Sequence, residues 1–221
     1  MNDQAQKLRE LAATLKARPR IITVTSGKGG VGKSNVVINL AVALSRMGKR
    51  VLVIDADLGL ANIDILLGLK NRFNIQDVVE GRMKLKDIVV HGPAGIKVIP
   101  GSSGIPRIAN MSNRKRQEFT ASFKELENEA DIILIDTSAG MSKNVIKFAL
   151  LADEIVLVTT PEPSAITDAY AMIKVLHAEK PAASIGLIVN LARSAAQATE
   201  VANKIAEVSR QFLNFHIIIL G

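Results

Sequence analysis

Residues 27–34 read GKGGVGKS, set between the apolar run RIITVTS (20–26) and a segment with helical patterning from residue 33. The spacing G-x-x-x-x-G-K-S in strand–loop–helix context spells a P-loop, and it limits the fold before any other feature does: a buried strand must feed straight into a helix N-terminus. The glycines let backbone N–H groups converge on phosphate oxygens. Lys33 supplies point charge to β- and γ-phosphates, and the Ser34 hydroxyl is available to Mg2+. Gly27, Lys28, Gly29, Gly30, Val31, Gly32, Lys33 and Ser34 are therefore the expected nucleotide-binding loop.

The rest of the chain repeats the same alternation. Strands are expected at 20–26, 50–55, 96–100, 131–136, 154–160, 184–190 and 215–220. Helices are expected at about 33–47, 74–80, 112–129, 142–152, 164–179 and 195–213. The strands are continuous Val/Ile/Leu runs without polar alternation, which indicates burial on both faces. Gly48 and Pro181 are stop signals after the first and fifth helices. The fold class that follows is α/β, doubly wound, with a mostly parallel sheet flanked by helices and ligand chemistry at the carboxyl ends of the strands.

Acidic residues fall at two of those strand ends. DIILIDTSAG places Asp136 where a metal-bound water is oriented, and DADLGLANID places Asp55 toward the metal shell and Asp57 beside the attacking water. Ser34, Asp55 and Asp136 are the expected metal set; Lys28, Lys33 and Asp57 are the expected catalytic set. Lys28 is surplus to the loop's own needs. It emerges before the turn wraps the phosphates, so its side chain is expected to project outward, solvated and idle in a lone subunit. In a dimer packed face to face it would reach the partner's phosphates and stabilise charge in trans.

Composition removes several classes. The 221-residue chain has no cysteine, which excludes disulfides, thiolate zinc sites, iron–sulfur clusters and cysteine nucleophiles, and suits a reducing cytoplasm. Aromatic residues make up 3%, too few for a stacked single-strand nucleic-acid platform. The net charge of +7 is spread without a block of like charge. No apolar run reaches the ~18 residues needed to span a bilayer. His91, His177 and His216 lack metal-ligand spacing.

Residues 3–17 precede the first strand. Ala5, Leu8, Leu11/Ala12 and Leu15 share one helical face, Asn2 or Asp3 is the N-cap, and Arg18-Pro19-Arg20 ends the pattern. This helix either packs on its own domain or docks on a partner. The division expected is 1–19 for helix and linker and 20–221 for the ATPase domain. Because FHIIILG finishes on a strand, a further C-terminal portion is expected.

Together KGGVGKS with its extra lysine, DADLGLANID and DTSAG resemble the deviant Walker-A P-loop ATPases of the MinD/ParA group, a SIMIBI-type fold, from about Arg20 to Gly221. The resemblance implies ATP/ADP and Mg2+ as ligands, slow regulatory hydrolysis and an ATP-dependent homodimer. Lys28 is the signature lysine, Asp57 the water-orienting residue and Asp136 the metal-proximal aspartate. Pro161 and Glu162, in TTPEPSAITDAY, would line the ribose and base, and Asn190 would hydrogen-bond adenine.

Within the group, Asp3, Gln4, Ala5, Leu8 and Arg9, with NIQDVVEG (74–81), resemble the branch that regulates flagellum number (FlhG, also YlxH or FleN). That branch stimulates the GTPase FlhF through its N-terminal helix. It also binds anionic membrane through a C-terminal amphipathic segment, which implies a cytoplasmic protein, peripheral on the inner membrane face when ATP-bound. DTSAG departs from the group by carrying Ser138 where proline or glycine is common. Alternatives are a ParA-like DNA-partition ATPase, a MinD-type cell-division-site ATPase, a small-molecule ligase of the same superfamily, and a non-enzymatic adaptor. No specific nucleic-acid partner is expected.

Overall fold

The computed structural model describes residues 18–57, 61–102, 126 and 129–221. The N-terminal helix expected at 3–17 and most of the one expected at 112–129 lie outside these residues.

The chain enters through β1 (Arg20–Thr25), passes the loop 26–32 and continues in α1 (Lys33–Arg46). Gly48, at φ 82°, follows α1 as its stop. Next come β2 (Val51–Ala56), the short α2 (Ile63–Leu67) and α3 (Ile75–Val79). Asn74 caps α3 through a reciprocal capping box with Asp77. Two 3-10 turns, at Leu85–Ile88 and Pro93–Gly95, flank β3 (Val90–His91), and β4 (Lys97–Ile99) follows. The remainder is β5 (Ile132–Thr137), α4 (Lys143–Leu151), β6 (Glu154–Thr159), α5 (Pro163–Glu179), β7 (Ser184–Val189), α6 (Ala195–Leu213) and β8 (Ile218–Ile219).

The sheet has the order β3-β4-β2-β5-β1-β6-β7-β8 and is parallel throughout except for the β3–β4 pair. Burial on both faces explains the unbroken apolar runs. Val51 and Val53 of β2 pack with Val37 and Ala41 of α1, while Leu52 and Ile54 point the other way, against Ile75 and Leu85. A third cluster joins β6 and β7 to α4, α5 and α6 through Leu157, Ile173, Leu187 and Ile205. β1 lies at the sheet centre, and the chain leaves it toward β2 on one side and later toward β6 on the other. A crevice opens at such a switch point. No helix of the described residues is long and apolar enough to cross a membrane.

The expected doubly wound fold is the one observed. Its sheet edges differ from expectation. β3 and α2 carry no expectation at all, and the strand expected over 215–220 is a strand only at Ile218–Ile219, with Leu220 and Gly221 adding single hydrogen bonds to β7.

Candidate functional site

The loop between β1 and α1 wraps left-handed at Gly30 (φ 79°) and Gly32 (φ 85°), a region that L side chains avoid. Gly27 and Gly32 are glycines for a second reason. A Cβ on Gly27 would strike the backbone of Asp168 in α5, and one on Gly32 would strike the side-chain amide of Asn190. The first turn of α1 carries no acidic residue, so its free N–H groups and dipole face an anion unopposed.

Beneath the loop lies a buried ion pair. Lys33 Nζ donates to Asp136 Oδ1; the lysine side chain is 7% exposed and the aspartate fully buried. Burial pushes the Asp136 carboxyl above the ordinary carboxylate range, while Lys33 and the nearby Ser34 hydroxyl pull it back. Its second oxygen, Oδ2, is buried with no hydrogen-bond partner among the described residues. A lysine poised for phosphate, a serine hydroxyl and one orphaned carboxylate oxygen fit a Mg2+–nucleotide. Among the described residues no three His, Cys, Asp or Glu surround a cation position. Mg2+ does not need such a cage, because it keeps waters and takes phosphate oxygens.

Asp55 stands beside Asp136 in the β2–β5 register and is fully buried. Its Oδ1 accepts from the Asp57 N–H at 3.1 Å, and its Oδ2 accepts from the N–H groups of Asn62 (3.0 Å) and Ile63 (3.1 Å). Desolvation raises its carboxyl to about 6, against those three backbone bonds. In this arrangement Asp55 folds the following loop and starts α2. Gly101 backs it closely, since a Cβ there would lie 2.8 Å from the Asp55 carboxyl carbon. Asp57 lies on the loop so formed, and its Oδ1 accepts a hydrogen bond from the Ser138 hydroxyl at 2.9 Å.

On the far side of the loop, Asn190 ends β7. Its Nδ2 donates to the Val31 carbonyl at 2.9 Å, bracing the P-loop, and its Oδ1 is left as an acceptor. Leu191, next in the chain, is 68% exposed at a positive φ of 56°. Lys28 is not idle. Its Nζ donates to Glu162 Oε2 at 2.6 Å and to Ser164 Oγ at 2.8 Å, both on the N-terminal turn of α5. Glu162 is the N-cap residue of α5, followed by Pro163, and it makes no capping bond with its side chain.

The structure thus gathers Gly27 to Ser34, Asp55, Asp57, Asp136, Glu162 and Asn190 at one end of the sheet, while Asp3, Gln4, Ala5, Leu8 and Arg9 lie outside the described residues. Ser138, Ser164 and Asp168 join the site without having been named for it. Ser138 carried a signal in its departure from the motif, and Ser164 and Asp168 in lying within TTPEPSAITDAY, the stretch that resembles the ribose- and base-lining region.

Comparison with known proteins agrees with this geometry. A family described as an AAA domain (AAA_31) matches residues 19–184. The antiactivator FleN of Pseudomonas aeruginosa is 39% identical over 202 residues, covering 91% of this chain and 72% of that protein. The flagellum site-determining protein YlxH of Helicobacter pylori is 40% identical over 183 residues, covering 79% of this chain and 62% of that one. Among solved structures, the septum site-determining protein MinD of Pyrococcus horikoshii, complexed with Mg-ADP, superposes with a TM-score of 0.71 at 35% identity, covering 85% of this chain and 77% of that chain. The chain belongs to the AAA_31 family, as a P-loop ATPase of the MinD/ParA type.

Proposed function

We propose that this ATPase is a nucleotide-timed switch governing flagellum number, a monomer without ATP and a sandwich dimer with it. The relatives named for flagellar control support the biological role, and the site supports the chemistry. The P-loop amides and Lys33 hold the triphosphate. Ser34 and Asp136 would hold Mg2+, with Asp55 ordering the loop beside them. Mg2+ held there would offset the charge on the phosphate oxygens.

Asp57 orients the water. Attack forms the bond from the water oxygen to the γ-phosphorus as the bond from that phosphorus to the β–γ bridging oxygen breaks; ADP leaves with that electron pair and the water's proton passes to the released phosphate. Lys28 reaches the partner's triphosphate and stabilises charge in trans, so that pairing and hydrolysis become one event. Asn190 Oδ1, the acceptor left by the bond to Val31, suits the amino group of adenine and repels the carbonyl of guanine, with Pro161 and Glu162 beside the ribose.

The observation that carries this reading is the placement of the two lysines. Lys33 is buried on Asp136 under the loop, while Lys28 is 38% exposed at the rim. One cation lies under the subunit's own loop; the other stands at the rim, held by Glu162 and Ser164 in a contact that a partner's phosphates would displace. Residues 1–19 would stimulate the GTPase FlhF, and the ATP-bound form would be peripheral on an anionic membrane surface.

The test is size exclusion and phosphate release with ATP and Mg2+. Lys28→Ala is expected to abolish hydrolysis and weaken dimerisation. Asp57→Ala is expected to bind ATP and remain dimeric; a monomeric Asp57→Ala protein overturns the switch. A peptide of residues 1–20 added to FlhF with GTP tests the partner, and no rate increase removes it.

A further inference from the structure

We propose that Ser138 is a positioning residue for hydrolysis, linking the loop after β5 to the water-orienting Asp57. The inference rests on the reading of Asp57 given above. Three observations meet at this residue. First, its hydroxyl donates to Asp57 Oδ1 at 2.9 Å, across 81 residues of sequence, joining two loops that follow neighbouring strands. Secondly, its own loop is anchored to the nucleotide loop. Gly140 N–H donates to the Ser26 carbonyl at 2.9 Å, with Gly140 left-handed at φ 85° to make the turn. Thirdly, the start of that loop is pinned from below, where the Thr137 hydroxyl contacts the Val24 carbonyl at 3.2 Å and the Ser138 carbonyl at 3.1 Å.

Ser138 therefore sits on a segment fixed at both ends to the P-loop and its strand, and its free end reaches the carboxylate that must face the attacking water. Asp57 is secured from the backbone as well, through its N–H on Asp55. That bond sets where the residue begins. The hydroxyl sets which way its carboxylate turns. A hydroxyl donating to an ionised carboxylate is stronger than a neutral pair and restricts rotation about the terminal torsion, which is broad when unrestrained. A proline or glycine at this position has no side-chain donor, so such a loop cannot hold Asp57 in this way. Movement of the P-loop on nucleotide binding would pass through Gly140 and Ser138 to Asp57 without any contact between Ser138 and substrate.

The experiment is steady-state phosphate release over a range of Mg-ATP, with nucleotide affinity and thermal midpoint measured alongside. Ser138→Ala is expected to lower kcat about tenfold, the loss of one charge-assisted hydrogen bond. KM for ATP and ADP affinity should stay as in the unmodified chain, and the midpoint should fall by no more than the loss of that one hydrogen bond accounts for. Ser138→Thr, which keeps the hydroxyl, should restore most of kcat. In an Asp57→Ala background Ser138→Ala should have no further effect.

If Asp57→Ala is inactive while Ser138→Ala hydrolyses at the unmodified rate, Ser138 holds nothing and this inference falls alone. A tenfold loss that Ser138→Thr does not rescue, or that persists undiminished in the Asp57→Ala background, overturns it too. An Asp57→Ala protein hydrolysing at the full rate sinks the underlying reading of the site instead.

Discussion

The two sides of the P-loop are built differently. On the β2/β5 side the carboxylates are dry or half-dry and each is tied: Asp136 to Lys33, Asp55 to three backbone N–H groups, Asp57 to Ser138. On the β6/β7 side the polar groups stand at the rim, where Lys28 and Glu162 meet in water and Leu191 projects past Asn190. Charge that must already be in place when nucleotide arrives is preorganised by burial, which makes each pair strong and costly to break. The Lys28 charge, which the proposed function sends to a second subunit, is held by a contact that solvent and salt weaken. The contrast separates a buried part of the site from a rim that, on the proposed function, would do the switching.

The largest effect is expected from breaking the dry side. Lys33→Met removes the cation from a fully buried carboxylate, and such a change costs about 3–5 kcal/mol. Nucleotide affinity should fall with it. The stability cost should shrink on acidification, because Asp136 is already pushed toward its neutral form and, without Lys33, protonates more easily. Urea unfolding at mildly acidic and mildly alkaline pH checks this. An equal loss at both would mean that Asp136 was never held as an anion, and the comparison above would break.

A smaller effect sharpens the same contrast. Asp55 is raised in the folded protein from an ordinary value near 3.8 to about 6. Between those values the folded chain binds more protons than the unfolded one. The stabilising contribution is therefore complete below the lower value and disappears as pH rises through about 6. Its full span is about 3 kcal/mol, the free energy of that displacement. Asp55→Asn keeps an oxygen for the Asn62 and Ile63 N–H groups and loses only the acceptor for Asp57. In magnesium-free buffer, the fall in stability between pH 4 and pH 7 should be smaller in the variant than in the unmodified chain by the share that Asp55 contributes, with Asp136 supplying what remains. A difference between the two that stays constant across that range rules out Asp55 as the source.

This contrast also marks what the sequence disclosed. The P-loop, Asp55 and Asp136 are legible because local chemistry writes them: glycines at forced turns, a lysine before a helix, carboxylates closing apolar strands. The sheet is legible for the same reason, since strands buried on both faces are apolar without interruption. α2 is not, because its five residues, IDILL, read as part of an apolar stretch and the helix starts only where Asp55 takes its first N–H groups. β3 pairs through two residues, too few for any periodicity.

The partners of Lys28 are hidden for a deeper reason. Glu162 lies 134 residues away and meets the lysine only because β6 lands beside β1. Burial and turn geometry leave marks in a sequence. A contact made by topology leaves none until the fold is known, and that is how a lysine expected to be idle turns out to be engaged.

The smallest predicted effect lies in that contact. An exposed ion pair contributes at most about 1 kcal/mol, so Lys28 can be detached from Glu162 at little cost, yet until detached it is not available to a second subunit. Glu162→Gln keeps an acceptor oxygen near Ser164 and removes the charge. If the pair holds Lys28 back, this variant should dimerise with ATP at about two- to fivefold lower protein concentration, the equivalent of that free energy. The advantage should vanish at high salt, where screening has already loosened the pair in the unmodified chain. The measurement is sedimentation across a concentration series in the Asp57→Ala background, where hydrolysis does not dissolve the dimer. Weaker dimerisation on Glu162→Gln would show the opposite arrangement. Glu162 would then work on the assembled nucleotide site rather than on the waiting lysine, and the rim would be as much a part of binding as the buried side beneath it.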